Sequence, residues 1–336
     1  MRAIIETHHG GPEVLTLSEV PTPVPRTHEV LLRIHAAGIN RADALQRRGF
    51  YPPPPGASAI YGLEAAGIIE AVGDGVSVEN LGAPVLALLP GGGYADYVTV
   101  PVEHLLPLPE GLSFEEGAAL PEVAATVYSN LVLTCGMSLN PAQNLRENGE
   151  SAAVLVHGGT GGIGVHAIQL TLAAGTRVFA TVGTEEKAEY VRSLGAEPIV
   201  YREHSFREVV LAETDGRGVD YILDVVGGRY LEENLHALAD GGHLCIIGLQ
   251  GGAKAEIDLG YMLSKRLSVH ATSLRTRTAS QKADILRGVR EQVLPLIESG
   301  CIGVGLDRVF PLEEAPAAHA YFDSGRHRGK VVLRMV

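Results

Sequence analysis

Through the first hundred residues, apolar and polar positions fall into short β-type runs, at 2–7, 14–20, 29–37, 65–72, 85–88 and 94–100, broken by glycine and proline. Strands at this spacing predict a compact all-β barrel or sandwich. Pro52-Pro53-Pro54-Pro55 interrupts the series. Proline has no N–H to donate, so this segment is expected to be a stiff loop near a cleft. Residues 113–133 change to helical spacing, and Asn140-Pro141 and Asn148-Gly149 punctuate the connection that follows.

From 151 the rhythm becomes strand, helix, strand. Strands are predicted at 152–157, 177–181, 198–201, 221–226 and 243–247, and helices at 163–174, 185–194, 206–212 and 230–238. Alternation of this kind gives a parallel sheet covered by helices, a doubly wound α/β domain. A helix at 285–297, a strand at 307–310, a helix around 314–321 and a strand at 330–334 return to mixed character. They are expected to rejoin the first domain, which makes it discontinuous: 1–122 with 275–336, around a second domain at 123–274.

The junction of the first predicted strand and helix of the second domain reads VLVHGGTGGIGVHA over 154–167. Gly159-Thr160-Gly161-Gly162-Ile163-Gly164 within it is a G-x-G-x-x-G. Such a motif supplies a tight turn, a backbone close enough to touch a pyrophosphate, and a helix N-terminus that binds the anion. By itself it is a weak signal. A strand before it, a helix after it and a full α/β series downstream supply the context that dinucleotide binding requires.

The end of the second strand of such a domain separates NAD from NADP, because NAD sites place an acid there against the ribose 2′-hydroxyl. This chain has Thr181-Val182-Gly183-Thr184, then Lys187, and later Tyr201-Arg202. A hydroxyl, an ammonium and a phenol arriving together suit a 2′-phosphate, so NADPH is the expected cofactor. Glu185 and Glu186 follow at the first turn of a helix, where compensation of the helix dipole accounts for them and acceptance of a ribose hydroxyl is the alternative.

Composition narrows the partners. With 27 Lys and Arg against 39 Asp and Glu, a net charge of −12, the overall field repels nucleic acid and anionic membrane. Three scattered cysteines without C-x-x-C argue against a disulfide framework or zinc finger, and no apolar run approaches the ~18 residues of a membrane span. A cytoplasmic protein is expected. The 13 histidines show no i, i+4 helical pair, so no metal is expected.

Several segments together resemble a known family: VHGGTGGIG, Gly183-Thr184 with Lys187, Asn40-Arg41-Ala42-Asp43, Tyr51-Pro52-Pro53-Pro54-Pro55-Gly56, Gly62-Leu63-Glu64-Ala65-Ala66-Gly67, Val309 to Ala315, and Gly329 to Leu333. Nearly end to end, the chain is similar to the medium-chain dehydrogenase/reductase superfamily and, within it, to the zinc-free quinone oxidoreductases, closest to the p53-inducible quinone reductase type. The resemblance implies a GroES-like β-barrel catalytic domain built from both chain ends, a doubly wound Rossmann domain between them, and NADPH. Zinc-dependent members carry a cysteine and a Gly-His-Glu where this chain has Asn40 and Gly62-Leu63-Glu64, and the four-cysteine structural lobe has no counterpart.

Without a Lewis acid the acceptor must delocalise the charge that hydride brings, as quinones and conjugated enones do. Tyr51 and Asn40 are the first candidates for donors to the substrate oxygen, followed by Asp43 and Gln46; for Tyr51 the alternative is packing on the prolines. The family pattern places Thr126 beside the nicotinamide, where a mid-helix threonine otherwise bonds its own backbone, together with Gly248, Leu249, Ser273 and Leu274. The expected activity is NADPH-dependent quinone reduction by hydride or electron transfer. The alternatives are reduction of the C=C bond of 2-alkenals or enones, and a non-catalytic NADPH-binding role of the crystallin-like or RNA-associated kind. Family members are homodimers or homotetramers, and 267–273 is a plausible edge strand for pairing two copies.

Overall fold

The computed structural model describes residues 1–146 and 148–335. The chain divides into two compact units: 1–125 with 275–299 and 304–336, and 126–274 with 300–303.

In the first unit, the strand Glu29–Gly38 is the hub of a seven-stranded sheet. Its burial alternates, with Val30, Leu32, Ile34 and Ala36 inward, as the two-residue period dictates. Its length lets one strand serve three neighbours. Tyr97–Pro101 pairs with its first half, Lys330–Arg334 with its last three residues, and Glu64–Val72 with most of its length. The C-terminal strand thereby joins the N-terminal ones in one GroES-like sheet, which continues through Pro84–Leu88 and Leu105–Pro107. A single apolar core that includes Ile4, Leu32, Ile39, Leu105, Leu312 and Leu333 unites both ends of the sequence.

The second unit is a six-stranded, all-parallel Rossmann sheet. Its strands, in chain order, are Ala153–His157, Arg177–Val182, Glu197–Val200, Val219–Asp224, Leu238–Ile246 and Ser268–Ala271. Spatially they run third, second, first, fourth, fifth, sixth. The order reverses between the first and fourth strands, and ligands of doubly wound sheets bind beyond the carboxyl ends at that point.

Several local expectations are corrected. Residues 113–133 are not one helix: Phe114–Gly117 is a single turn, and Pro121–Val127 runs on into a π-helical stretch, Tyr128–Thr134. Pro121 lacks an N–H and so opens a new helix rather than continuing the old one. The predicted helix at 285–297 begins earlier, as Ala279–Gln292, and restarts as Leu294–Glu298 with Pro295 in its first turn. Two helices went unpredicted, Arg41–Arg47 and Leu259–Lys265. At seven residues each, they are too short to show a 3.6-residue period.

Candidate functional site

The glycine-rich turn begins where the first Rossmann strand ends. Gly158 has φ 74°, a left-handed conformation that glycine takes without penalty. Gly161 caps the helix Gly162–Ala173 and donates its N–H to Gly158 O at 3.0 Å. A Cβ on Gly164 would lie 2.3 Å from Gly158 O, and one on Gly159 would lie 2.8 Å from Ala180 Cβ. Those two glycines therefore bring helix, turn and second strand into contact. A Cβ on Gly161 would meet only Gly158 O, at 3.6 Å, so its outer side is open. Thr160 is buried in the turn, and Ile163 is half-buried in the first helical turn. The cradle fits a pyrophosphate at a helix N-terminus.

The second and third strands bring the sugar-side residues together. Their parallel register sets Val200 beside Val182, and Tyr201 donates its N–H to Val182 O at 3.1 Å. A Cβ on Gly183 would lie 3.3 Å from the Tyr201 hydroxyl. Thr184 caps the helix Glu185–Ser193 by accepting the Lys187 N–H, so Lys187 stands in its first turn. Glu185 is held by Arg192 at 2.6 Å. The corner thus offers Thr184, Lys187 and Tyr201, with no acid at the strand tip.

Thr126 is buried in Pro121–Val127, and its carbonyl accepts from Ser129 and Asn130 side chains. Gly248 packs tightly, since a Cβ there would lie 2.7 Å from Val225 O, and Leu249 beside it is 58% exposed. Ser273 and Leu274 follow the sixth strand and are half-buried. Gly248, Leu249, Ser273 and Leu274 thus share the carboxyl side of the sheet with the glycine turn.

Beneath that side runs a polar relay that sequence reasoning missed. Asp224, at the end of the fourth strand, accepts N–H bonds from Val226 and Gly227 and a side-chain bond from Asn234. Asn234 Oδ1 is then left to accept from His157 Nε2 at 2.7 Å, which makes His157 Nδ1 the acceptor for the Thr181 hydroxyl at 3.0 Å. Thr181 Oγ1 accepts the Gly158 N–H. The relay ties the ends of the first, second and fourth strands together. Burial holds His157 neutral, its pKa down at about 4, and lifts Asp224 to about 6 against its donors. No spacing in the sequence links these four positions.

In the first unit, the helix Arg41–Arg47 gathers Asp43 and Gln46, with Asn40 as its N-cap. Asn40 is buried and occupied at both ends: Nδ2 donates to Glu64 Oε1 at 2.8 Å, and Oδ1 accepts from Lys330 Nζ at 2.6 Å. Asp43 accepts the N–H groups of Asn40 and Gly62 and the Tyr94 hydroxyl. Desolvation raises its pKa to about 6 despite those bonds. Gln46 Nε2 donates to Ala59 O, and its Oε1 accepts from Arg275 at 2.8 Å. Arg275 also donates to the carbonyls of Tyr51 and Pro90, and its guanidinium lies 5.1 Å from the Tyr51 ring centre. Tyr51 is the half-exposed member of this group, while the other three candidates are buried.

The sequence signalled neither Arg275 nor Lys330, because the partners of their side chains lie 185 or more residues away. Lys330 forms a buried ion pair with Glu64, whose other oxygen accepts the Glu122 N–H at 2.8 Å. Positions where zinc-dependent relatives hold a metal are here an amide, a leucine and a carboxylate already neutralised by an ammonium. These residues do not fit a catalytic zinc ion.

Two family models match, "Alcohol dehydrogenase GroES-like domain" over residues 26–110 and "Zinc-binding dehydrogenase" over 162–287. A quinone oxidoreductase of Rattus norvegicus is 34% identical, over 99% of this chain and 97% of its own. Among solved structures, the Escherichia coli quinone oxidoreductase complexed with NADPH superposes with a TM-score of 0.87 at 30% identity, over 100% of both chains. The CurK enoyl reductase does so with a TM-score of 0.85 at 26% identity, over 100% of this chain and 99% of that one. The glycine cradle, the two-unit architecture and this full-length similarity agree: the chain belongs to the quinone oxidoreductase family of the medium-chain dehydrogenase/reductase superfamily.

Proposed function

We propose that the protein is an NADPH-dependent reductase of quinones. The observation that carries this reading is Lys330 lodged against Glu64 and Asn40, where zinc-dependent relatives keep metal ligands. A corner so filled does not polarise an unactivated ketone, so the substrate must spread the incoming charge over its own conjugated system.

Bound NADPH supplies hydride. Gly159, Thr160, Gly161, Gly162 and Ile163 seat the pyrophosphate, and Thr184, Lys187 and Tyr201 hold the 2′-phosphate, with Gly183 leaving room for it. Thr126, Gly248, Leu249, Ser273 and Leu274 line the nicotinamide half. Tyr51 donates a hydrogen bond to the quinone oxygen as charge develops there, and Asn40, Asp43 and Gln46 position the loop and helix that carry it, with Arg275 as the tie. The Ser268–Ala271 edge offers its open backbone groups to a second copy, in a homodimer or homotetramer.

A second reading, reduction of the C=C bond of 2-alkenals or enones, draws on the likeness to an enoyl reductase. NADPH consumption with ortho-quinones, para-quinones and 2-alkenals side by side separates the two. Faster turnover of quinones is expected, and a preference for 2-alkenals would replace the first reading with the second. Tight NADPH binding without turnover of any acceptor would leave a non-catalytic binding protein.

A further inference from the structure

Away from the glycine cradle, the second unit gathers four soft donors on one face of its sheet. His243 and Cys245 are two apart on the fifth strand and so leave the same face. The parallel register sets His270 of the edge strand beside Cys245. Cys135, which caps the π-helical stretch Tyr128–Thr134, reaches the same point. The Cys135 and Cys245 sulfurs lie 3.1 Å apart, and His243 Nδ1 lies 3.4 Å from His270 Nε2. The ligand atoms of Cys135, His243 and His270 all fall within 4.8 Å of one another.

One S–H bridges the two sulfurs and the Cys245 thiol faces the Asn130 carbonyl at 3.6 Å, while the two imidazoles face each other through ring nitrogens, so lone pairs on sulfur and nitrogen remain available to a cation. A single cation can be reached by Cys135, His243 and His270 together. Tetrahedral zinc bonded to nitrogen at ~2.0–2.1 Å places two imidazole nitrogens about 3.3 Å apart, close to the spacing of His243 and His270, and two thiolates with two imidazoles is a zinc donor set. We propose that Cys135, His243 and His270, completed by Cys245, bind one zinc(II) ion that clamps the π-helical stretch to the edge of the Rossmann sheet. This site is separate from the Asn40 and Glu64 positions, which lie in the other unit.

The surroundings suit the role. The Tyr221 ring stacks on His243 with centroids 6.0 Å apart, and the two histidine rings are nearly parallel, at 6°. Asn130, in the same π-helical stretch as the cap, accepts from Thr272 at 2.6 Å, just beyond the edge strand. Burial and the neighbouring His270 keep His243 toward its neutral, ligating form. The hydrogen bond to Cys245 and burial hold the Cys135 thiol protonated in the absence of a cation. Zinc uptake therefore exchanges two S–H bonds for two Zn–S bonds and releases two protons to solvent.

The test uses the full chain with Cys301→Ser, which leaves Cys135 and Cys245 as its only thiols, kept under a phosphine reductant. One equivalent of cobalt(II) should give a thiolate charge-transfer band and tetrahedral d–d bands, both bleached by one equivalent of zinc. His270→Ala and Cys135→Ser should each weaken zinc binding about tenfold or more in competition with a chromophoric chelator. Absence of the charge-transfer band, or unchanged zinc affinity in either variant with its circular dichroism intact, would overturn the proposal. Should a variant fail to fold, zinc must slow modification of both thiols by an aromatic disulfide in the Cys301→Ser protein freed of phosphine under anaerobic conditions, and an unchanged rate equally refutes the site.

Discussion

Lys330 is the clearest case of one residue deciding chemistry. Its ammonium and the Glu64 carboxylate are both withdrawn from water and share the Asn40 amide. Removing one partner of a buried pair strands the other charge, at a cost of about 3–5 kcal/mol. Lys330→Met is therefore expected to lose about that much in guanidinium unfolding, and adding Glu64→Gln should restore part of it. A loss below about 1 kcal/mol, within the range of exposed pairs, would show that the pair is hydrated after all. In the sequence Asn40 was legible as a departure from a zinc ligand, and Glu64 as the acid retained beside the departing Leu63. Their ammonium partner was not, because 266 residues separate it from Glu64.

At the scale of elements, the sugar corner is made by two strand ends and one helix start, each recognisable in the sequence by itself. Thr184 and Lys187 were readable as a hydroxyl and an ammonium suited to a 2′-phosphate, whereas the cap that Thr184 makes and its placement beside Tyr201 follow from the helix start and from the second and third strands lying side by side. A charge-assisted bond to phosphate is worth about 1.5–3 kcal/mol, so Lys187→Ala should raise the KM for NADPH about tenfold or more and leave that for NADH nearly unchanged. Equal effects on the two cofactors would refute the 2′-phosphate assignment. The broken helix at 113–133 makes the complementary point: its apolar spacing was correct, but Pro121 divided it.

For the whole molecule, buried titrating groups set the response to acid. Burial lowers His157 and His166 to about 4 and His319 to about 3, while it raises Asp43 and Asp224 to about 6. A histidine with a lowered folded pKa leaves the unfolded chain to take the proton first, so stability falls as pH drops from about 6.5 toward about 4. The two acids act oppositely, adding stability as pH falls through about 6 toward about 4. Three histidines with the larger shifts outweigh two carboxyls, and the net expectation is lower stability at pH 5 than at pH 8. His166, whose buried Nε2 has no hydrogen-bond partner among the described residues, is the one to remove. His166→Leu should shrink the stability difference between pH 8 and pH 5 by about 2 kcal/mol, from the 1.36 kcal/mol carried by each pKa unit. Parallel pH curves for variant and parent would contradict the assignment.

The sequence by itself determined the strand-rich first half, the alternating second half and the glycine turn, because period, punctuation and close backbone approach are local properties of neighbouring residues. Only the tertiary structure decided what those elements carry. The relay from Asp224 to Thr181, the anchoring of Tyr51 by Arg275, the Lys330 pair and the four donors around Cys135 each join residues far apart in the chain. Their contacts follow from strand order and register, and a linear pattern of apolar and polar positions specifies which face of a strand is buried, not which distant strand will lie against it.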